Sequence, residues 1–241
     1  MWPFKSVKKL KDSGMFANFT DWHSHILPGV DDGIPTIEDS IEVLKAYEEL
    51  GFKRVWLTPH VMEDFPNTPA DLKVKFNELQ TAWTGNVELK LAAENMLDSL
   101  FEQRLEDNDL LPIGDDKSYL LVETSYYTPP MDFENILDKI KAKGYHPILA
   151  HPERYRYMEE KDYMRLKNKD VFFQMNFTSL VGGYGDTAKK KAEWLLDKGM
   201  INLLGSDVHR LKSTMSMIDF APSKQKHLNN ILRVVNTGEI K

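Results

Sequence analysis

Five of the seven histidines in this 241-residue chain stand at or just beyond the C-terminal end of a short apolar run. They are His23, His25, His60, His151 and His209. Three carboxylates occupy equivalent places after apolar runs: Glu94, Glu123 and Asp207. Imidazole and carboxylate without sulfur are the ligands of zinc, manganese or iron, and so many groups exceed what one ion can bind. The pattern therefore predicts a site for two or three metal ions.

Each of these signals also has an ordinary structural interpretation. The pair His23 and His25 has the spacing of two polar residues on one face of an edge strand. Glu94 and Glu123, taken singly, are more typical of surface carboxylates at strand ends. The segment 30–33 reads either as an Asp-Gly turn or as a loop that lends a carboxylate to the cluster. The metal site is predicted because all of these residues fall at strand ends together, whereas we expect the remaining histidines, His146 and His227, to be structural.

The elements that must position these residues alternate along the chain from residue 18 onward. Short apolar runs predict strands at 18–23, 53–58, 87–94, 119–124, 147–151, 171–176 and 201–206. Longer segments of helical period predict helices at 36–50, 69–83, 131–143, 159–167, 186–198 and 223–235. Thr36 is the expected N-cap of the first helix and Gly51 its stop. About seven β/α units emerge, which indicates an α/β fold around a mainly parallel sheet.

Periodicity alone leaves two architectures open, an open doubly wound sheet and a closed barrel. In a β/α barrel the C-terminal ends of the strands converge on one mouth, so residues distant in sequence meet in one pocket. The histidines and carboxylates stand at those ends. Their position favours the barrel.

Composition excludes several classes of protein. The chain has no cysteine, so disulfides, thiolate metal sites and cysteine nucleophiles are excluded. Its net charge of −6 argues against nucleic acid as a partner. No apolar run reaches about 18 residues, and the lysine-rich start is unlike a signal peptide, so we expect a cytoplasmic protein.

The start of the chain differs in composition from the rest. Residues 1–17 are basic and aromatic, and we predict an N-terminal extension there, followed by a single barrel domain at 18–241. We favour a solvated tail for this extension. The alternative is weak contact between its lysines and an anionic membrane surface.

Four segments carry a resemblance to a known family. They are Asp21–Gly33 (DWHSHILPGVDDG), Leu57–His60 (LTPH), His151–Tyr155 (HPERY) and Gly205–His209 (GSDVH). From about residue 19 to residue 214 the chain resembles the polymerase-and-histidinol-phosphatase (PHP) superfamily, which implies a distorted seven-stranded (β/α)7 TIM-like barrel with metals at the strand ends. Within it, the segments look like the manganese-dependent protein-tyrosine phosphatases of bacterial capsule and exopolysaccharide loci.

The resemblance implies a role for each matching residue. The first metal would be held by His23, His25, Glu94 and Asp207; the second by Glu94, Glu123 and His151; the third by Asp32, His60 and His209. Arg154 matches the arginine that binds the substrate phosphate and acts in catalysis. The family's second arginine would fall near Thr214, where Arg210 or Lys212 is the available substitute. Arginine binds phosphate bidentately and lysine as a point charge, so affinity would depend on which one serves.

The implied reaction is hydrolysis of phosphotyrosine on a protein, by in-line attack of a hydroxide held between the metal ions. Mn²⁺ is the expected metal, with Zn²⁺ or iron as alternatives, and the expected partner is a bacterial tyrosine kinase. His60 or His209 would donate a proton if the third metal binds weakly. Tyr126, Tyr127 and Tyr155 follow strand-end ligands and are candidates to flank the phenyl ring, although tyrosines are also common at surfaces.

Three rival functions remain open at this point. A phosphatase of small metabolites such as histidinol phosphate would use the same metals and differ in the mouth loops. A phosphodiesterase or nuclease is disfavoured by the acidic charge. A non-catalytic scaffold would be marked by lost ligands, and the sequence has lost none.

Overall fold

The structure, a computed structural model, describes residues 6–238. Its nine strands are β1 (Phe19–Ser24), β2 (Phe52–Leu57), β3 (His60–Val61), β4 (Glu88–Leu91), β5 (Glu94–Met96), β6 (Tyr119–Glu123), β7 (His146–Ala150), β8 (Phe172–Asn176) and β9 (Leu203–Gly205). Its eight α-helices are α1 (Ile37–Leu50), α2 (Pro69–Ala82), α3 (Phe101–Asp107), α4 (Phe133–Ala142), α5 (Glu160–Asn168), α6 (Gly185–Asp197), α7 (Leu211–Ile218) and α8 (Gln225–Thr237). These bounds apply to the described residues only.

All strand pairs within the two sheets are parallel, which confirms the α/β class. One sheet has the order β1-β2-β4 and the other the order β3-β5-β6-β7-β8-β9. The far end of the second sheet returns to the first, because the Asp207 amide after β9 donates to the His23 carbonyl in β1 at 2.8 Å. The two sheets together form a curled parallel wall.

One predicted strand is broken, and another is followed by an extra short strand. The run 53–58 corresponds to β2, with β3 added after a break at 58–59, and the run 87–94 is divided between β4 and β5. Pro59 lies at the first break and has no N–H to donate to a ladder. At the second break the Ala93 amide leaves the ladder and donates to the Leu111 carbonyl at 3.1 Å. The helices α3 and α7 were not predicted; with seven and eight residues they are the shortest of the described helices, and about two turns show little periodicity.

Two apolar clusters hold the fold together. The larger cluster lies between the strands and the surrounding helices. The smaller one includes Trp22, Trp56, Leu121, Ile148 and Leu203, which come from five different strands yet pack together. These side chains therefore fill the space that the curled sheet encloses, and they form a dry floor under the strand ends.

A one-residue irregularity in β1 directs side chains toward the C-terminal ends of the strands. Asp21 pairs with Val55 and Ser24 pairs with Leu57, so three steps along β1 match two along β2. Such bulges redirect side chains and are common beside active sites. As a result Trp22 packs in the floor, while His23 is buried among polar groups at the mouth.

The N-terminal segment corrects one expectation. Leu10, Met15 and Phe16 are buried in the larger core, and the Leu10 amide donates to the Phe220 carbonyl at 3.0 Å. A solvated tail up to residue 17 is therefore wrong for this part of the segment, since its apolar side chains pack against the body. Residues 1–5 lie outside the described residues. None of the helices within 6–238 has the length and apolarity to cross a membrane.

Candidate metal centre and active site

The structure brings the nine predicted ligands together at one end of the curled sheet. Their places are His23 in β1, His25 and Asp32 after it, His60 in β3, Glu94 in β5, Glu123 at the end of β6, His151 after β7, and Asp207 and His209 after β9. Sheet register sets neighbours side by side, since His60 pairs directly with Glu94 across β3 and β5. The strand ends thus collect residues that are up to 186 positions apart (209 − 23).

Glu94 occupies the centre of the cluster. Its Oε2 atom lies 3.1 Å from His23 Nε2 and 3.3 Å from His25 Nε2. The same oxygen lies 3.1 Å from His60 Nδ1, while Oε1 lies 2.9 Å from His151 Nε2. Because its two oxygens face different histidines, this carboxylate would be able to contact two ions bound in the cluster.

The potential ligand atoms form four overlapping groups, within each of which all atoms lie within 4.8 Å of one another. The groups are His25, Asp32, His60 and His209; His23, His25 and Asp207; His23, Glu94 and His151; and His60, Glu94 and Glu123. Ligand atoms that each sit about 2.0–2.2 Å from one ion are separated by roughly 3–4 Å. The spacing therefore matches that of coordinating groups.

Among residues 6–238, His151 Nδ1 and three further buried atoms of the ligand residues have no hydrogen-bond partner; the three are His60 Nδ1, Glu94 Oε2 and Glu123 Oε1. They are nevertheless close together, since His60 Nδ1 lies 2.9 Å from Glu123 Oε1. Buried polar atoms in proteins are nearly always hydrogen-bonded, so converging lone pairs without a shared hydrogen need another partner. A divalent cation supplies one, and the donor set of nitrogen and oxygen fits it.

One edge of the cluster is open to solvent. The Asp32 side chain is 58% exposed, and its Oδ1 lies 3.3 Å from His209 Nε2 and 3.6 Å from His60 Nε2. The other members of the cluster are much more deeply buried. The third predicted ligand group therefore lies at the entrance.

Electrostatics leave two of the inner groups, Glu94 and His151, ready to bind cations, whereas the charge of Glu94 outweighs burial at His23 and raises the pKa of that ring to about 9. Burial acts to raise the pKa of Glu94, but His23 and His60 outweigh it and hold that pKa well below its usual range. Burial, together with the charge of Arg154, lowers the pKa of His151 to about 4. Its imidazole is therefore neutral and offers a lone pair, as a metal ligand must.

A second set of residues orients the histidines from behind. His25 Nδ1 lies 2.8 Å from Asp31 Oδ2, which also accepts from the His60 amide at 3.0 Å. His23 Nδ1 lies 2.9 Å from Gln174 Oε1. Such contacts fix the ring orientation and leave the Nε2 atoms facing the cluster. The sharp turn behind His25 requires Gly33, where a Cβ would lie 2.4 Å from the His25 carbonyl oxygen.

Arg154 is held at the rim by three neighbours. Its Nη1 donates to Asp207 Oδ2 at 2.6 Å, and its guanidinium lies 4.4 Å from the Tyr126 ring centre and 4.2 Å from that of Tyr184. The Tyr184 hydroxyl donates to the same Asp207 oxygen at 2.9 Å. The carboxylate outweighs the effect of burial and raises the pKa of Arg154. A fixed positive charge thus lies beside the ligand cluster.

A cavity of about 480 Å³ opens over the cluster, and both Arg154 and Arg210 line it. Arg210 Nη1 donates to the carbonyls of Asp32 at 2.8 Å and Gly33 at 2.7 Å. Thr214 also lines the cavity, whereas Lys212 is not part of its wall. Of the two predicted substitutes for the second arginine, Arg210 is the one that reaches the site.

The three tyrosines predicted to flank the substrate ring lie in different places. Tyr126 lines the cavity over the cluster, and Tyr127 lines an adjoining one. Tyr155 is wholly buried and accepts a hydrogen bond from the Thr124 amide at 3.2 Å, so its predicted place at the mouth is wrong. His146 and His227 lie outside the ligand cluster, as expected for structural residues.

Sequence reasoning missed several residues that hold the site. Gln174 and Asn176 stand two apart at the end of β8, and Asn176 Nδ2 donates to Asp207 Oδ2 at 2.7 Å. Two polar residues that stand two apart at the end of an apolar run could have been recognised in the sequence as facing the site. Tyr184 precedes α6 in a loop with no local pattern, so nothing in the sequence pointed to it.

The chain is similar to proteins of a known family. The family model for capsular polysaccharide synthesis, CpsB/CapC, matches residues 19–230. Tyrosine-protein phosphatase YwqE of Bacillus subtilis is 30% identical over 199 residues, which cover 80% of this chain and 78% of that relative.

Solved structures show the same likeness. A crystal structure from a study of YwqE from Bacillus subtilis and CpsB from Streptococcus pneumoniae, described as metal-dependent tyrosine phosphatases, matches with a TM-score of 0.74 at 25% identity. That match covers 92% of this chain and 95% of the other. The phosphotriesterase homology protein of Escherichia coli matches with a TM-score of 0.50 at 12% identity, covering 86% and 87%, and shares the fold alone.

Proposed function

Because the chain belongs to the CpsB/CapC family of capsular polysaccharide synthesis proteins, we propose that it is a metal-dependent protein-tyrosine phosphatase, a hydrolase of phosphoric monoesters. Its relatives YwqE and CpsB are named tyrosine-protein phosphatases. The observation that carries the proposal is the convergence of unpartnered His60, Glu94 and Glu123 atoms beside the fixed charge of Arg154.

We assign the ligands as the family resemblance implies. The first ion would be held by His23, His25, Glu94 and Asp207; the second by Glu94, Glu123 and His151; the third by Asp32, His60 and His209. Support comes from the four overlapping groups of ligand atoms, all of whose members belong to these nine residues. Nitrogen and oxygen donors without sulfur suit Mn²⁺, which we propose as the metal, and also Zn²⁺ or iron.

The protein's own residues bind and orient the phosphate. Arg154 donates one N–H to Asp207, and its other N–H groups have no acceptor within residues 6–238, so they are available to phosphate oxygens. Arg210, at the same cavity, supplies a second positive charge. Metal ions bound in the cluster would activate water and neutralise charge on the phosphoryl oxygens.

Phenol is a good leaving group for such a site. Its pKa is about 10, below that of an alkyl alcohol, so departure needs little help from a protein acid. If the third ion binds weakly, His60 and His209, which stand at the exposed edge, are the histidines placed to donate a proton there. The Tyr126 ring in the cavity wall offers an aromatic surface to the substrate phenyl group.

The proposal extends to the strand count of the barrel, the bounds of the domain and the identity of the substrate. If the broken pairs β2/β3 and β4/β5 each count as one strand, the nine strands reduce to the seven of a distorted (β/α)7 barrel. We place residues 18–241 in one barrel domain of a cytoplasmic enzyme. The substrate we propose is a phosphotyrosine protein, a bacterial tyrosine kinase in polysaccharide synthesis.

The test compares two phosphate esters on one enzyme. Protein stripped with a chelator and reloaded with Mn²⁺ is assayed for phosphate release from a tyrosine-phosphorylated peptide and from histidinol phosphate. Manganese-dependent release from the peptide is expected. Activity on histidinol phosphate alone would contradict the proposal in favour of a small-molecule phosphatase, and silence on both would contradict both.

A pair of histidine variants ties that activity to the cluster. His151→Ala removes a buried ligand, whereas His146→Ala removes an exposed histidine at the start of β7. We expect the first variant to lose most activity and metal content while remaining folded, and the second to keep both. Full activity in His151→Ala would overturn the ligand assignment.

A further inference from the structure

A second cavity adjoins the candidate active site. It has a volume of about 590 Å³ and shares Tyr126, Arg154 and Tyr184 with the cavity over the ligand cluster. Tyr127 and Arg156 line it further from the cluster. A peptide whose phosphorylated side chain reaches Arg154 would therefore lay neighbouring residues over this second cavity.

Two arginine–tyrosine pairs stand in tandem along the shared wall. The Arg154 guanidinium stacks on Tyr126 at 4.4 Å, and that of Arg156 stacks on Tyr127 at 4.8 Å. The Arg156 amide donates to the Tyr126 carbonyl at 2.8 Å, which fixes the two segments against each other. The Arg156–Tyr127 pair thus repeats the arrangement of the Arg154–Tyr126 pair and lies further from the ligand cluster.

The charge of Arg156 is not neutralised by the protein. Four of the seven arginines make ion pairs with carboxylates: Arg54, Arg104, Arg154 and Arg165. Across residues 6–238, no Asp or Glu oxygen lies within 4.0 Å of the Arg156 side-chain nitrogens, although Glu153 and Asp186 line the same cavity. Glu153 directs its Oε1 to the Ser179 hydroxyl and the Asn176 amide.

An arginine that rests on an aromatic ring has already lost part of its side-chain freedom. Its planar fork therefore matches a carboxylate at a small cost in entropy. One guanidinium provides the charge and the geometry for one such group. The wet, half-open setting limits the strength of that contact to the range of a surface ion pair.

We propose that Arg156 and Tyr127 form a subsite for an acidic side chain, Asp or Glu, that flanks the phosphotyrosine in the substrate protein. The subsite rests on the proposed phosphatase function, because the peptide is placed by its phosphate at Arg154. It would make the enzyme selective among phosphotyrosine sites by their neighbouring residues.

The experiment uses two peptides that differ only in the flanking residues. Each carries one phosphotyrosine, flanked by Glu in one and by Gln in the other, and both ends are capped so that no terminal carboxylate competes. With the Mn²⁺-loaded full chain, we expect kcat/KM to favour the Glu peptide by about two- to fivefold, mostly through KM. The preference should shrink as salt is added.

Two variants of Arg156 and one control test whether this residue causes the preference for the Glu peptide. Arg156→Gln should bring the ratio of the two kcat/KM values close to one, and Arg156→Lys should keep part of it as a point charge. Arg233→Gln is the matched control, because Arg233 is exposed on α8 near Gly199, beyond the end of α6 that is opposite the cavity. It removes the same charge and should leave the ratio at the wild-type value.

The outcomes separate this inference from the function on which it rests. Free phosphotyrosine, assayed with every variant, reports the phosphatase itself. If it is hydrolysed while the wild-type ratio is one, or while Arg156→Gln keeps the ratio, the subsite is wrong and the function stands. If no phosphotyrosine compound is hydrolysed, both fail.

Discussion

The ligand cluster has two parts that differ in their contact with water. The inner ligands, His23, His25, Glu94, Glu123, His151 and Asp207, have side chains no more than 2% exposed. The outer ligands are Asp32, His60 and His209, and their side chains are 58%, 12% and 27% exposed. His60 joins the two parts, since its Nδ1 faces Glu94 and its Nε2 faces Asp32.

The two parts also differ in how firmly their side chains are held. Asp31, Gln174 and Asn176 each fix an inner ligand from behind. The Asp32 carboxylate, in contrast, accepts no hydrogen bond from any described residue, and water competes for its lone pairs. Preorganised, dry ligands bind ions more tightly than mobile, hydrated ones. We therefore expect two firmly bound ions and one weakly bound ion.

The largest effect should come from the centre of the inner part. Glu94→Gln removes the charge of the bridging carboxylate but keeps its shape, and it should lower kcat/KM by about 10³-fold, roughly 4 kcal/mol of transition-state stabilisation. Metal content should fall as well. Glu38→Gln, at an exposed carboxylate in the first turn of α1, is the control and should match the wild type. Near-normal activity of the Glu94→Gln enzyme would contradict the central role of the inner ligands.

Removal of metal should occur in two stages. When metal content is followed as chelator is added, the outer ion should leave first, at a free metal concentration about 10–100-fold higher than that at which the inner ions leave. Thermal stability should fall mainly in the second stage, because the inner ions bind only the folded chain. A single stage, with all ions lost together, would show that the exposure of Asp32 and His209 does not govern affinity.

The outer part can be weakened alone. Asp32→Asn removes the one carboxylate among the three outer ligands while every inner contact remains, so it should abolish the weak class of ion and lower kcat by about tenfold. Asp64→Asn, an exposed carboxylate in the loop after β3, is the matched control. A loss as large as that of Glu94→Gln would mean that the two parts work as one unit.

The sequence predicted this cluster better than it predicted its supports. The ligands could be found because parallel strands end at one edge of the sheet, so that order along the chain alone brings His60 and Glu94 together. The order of strands does not show which of two adjacent carboxylates, Asp31 or Asp32, is the ligand. Asp31 lies buried behind His25, whereas its neighbour Asp32 faces the outer histidines. Local pattern does not distinguish two adjacent carboxylates in one loop, and only the resemblance pointed to Asp32.

Other differences come from packing between distant segments. Phe16 belongs to a lysine-rich stretch, and its charge pattern predicted a tail, but its ring stacks on Phe52 at 5.2 Å between centroids. The break at residues 92–93 divides a run that reads as one strand. Tyr184 acquires its role only because the chain between β8 and α6 folds back over Arg154. Contacts of this kind depend on the assembled sheet and leave no periodic trace.

Tyr184 gives the smallest and most specific test of the inner part. Tyr184→Phe keeps the ring under Arg154 and deletes only the hydrogen bond to Asp207. We expect a loss of about three- to tenfold in kcat/KM, roughly 1 kcal/mol, because the same Asp207 oxygen keeps its hydrogen bonds from Arg154 and Asn176. Tyr184→Leu also removes the stacked ring and should raise KM further, because Arg154 is then free to move. Tyr145→Phe deletes a tyrosine hydroxyl just before the start of β7, at the end of the strand opposite the ligands, and should leave activity unchanged. If Tyr184→Phe and Tyr184→Leu behave alike, the hydroxyl alone positions the site. If neither variant differs from the wild type, the inner ligands hold their geometry without the loop.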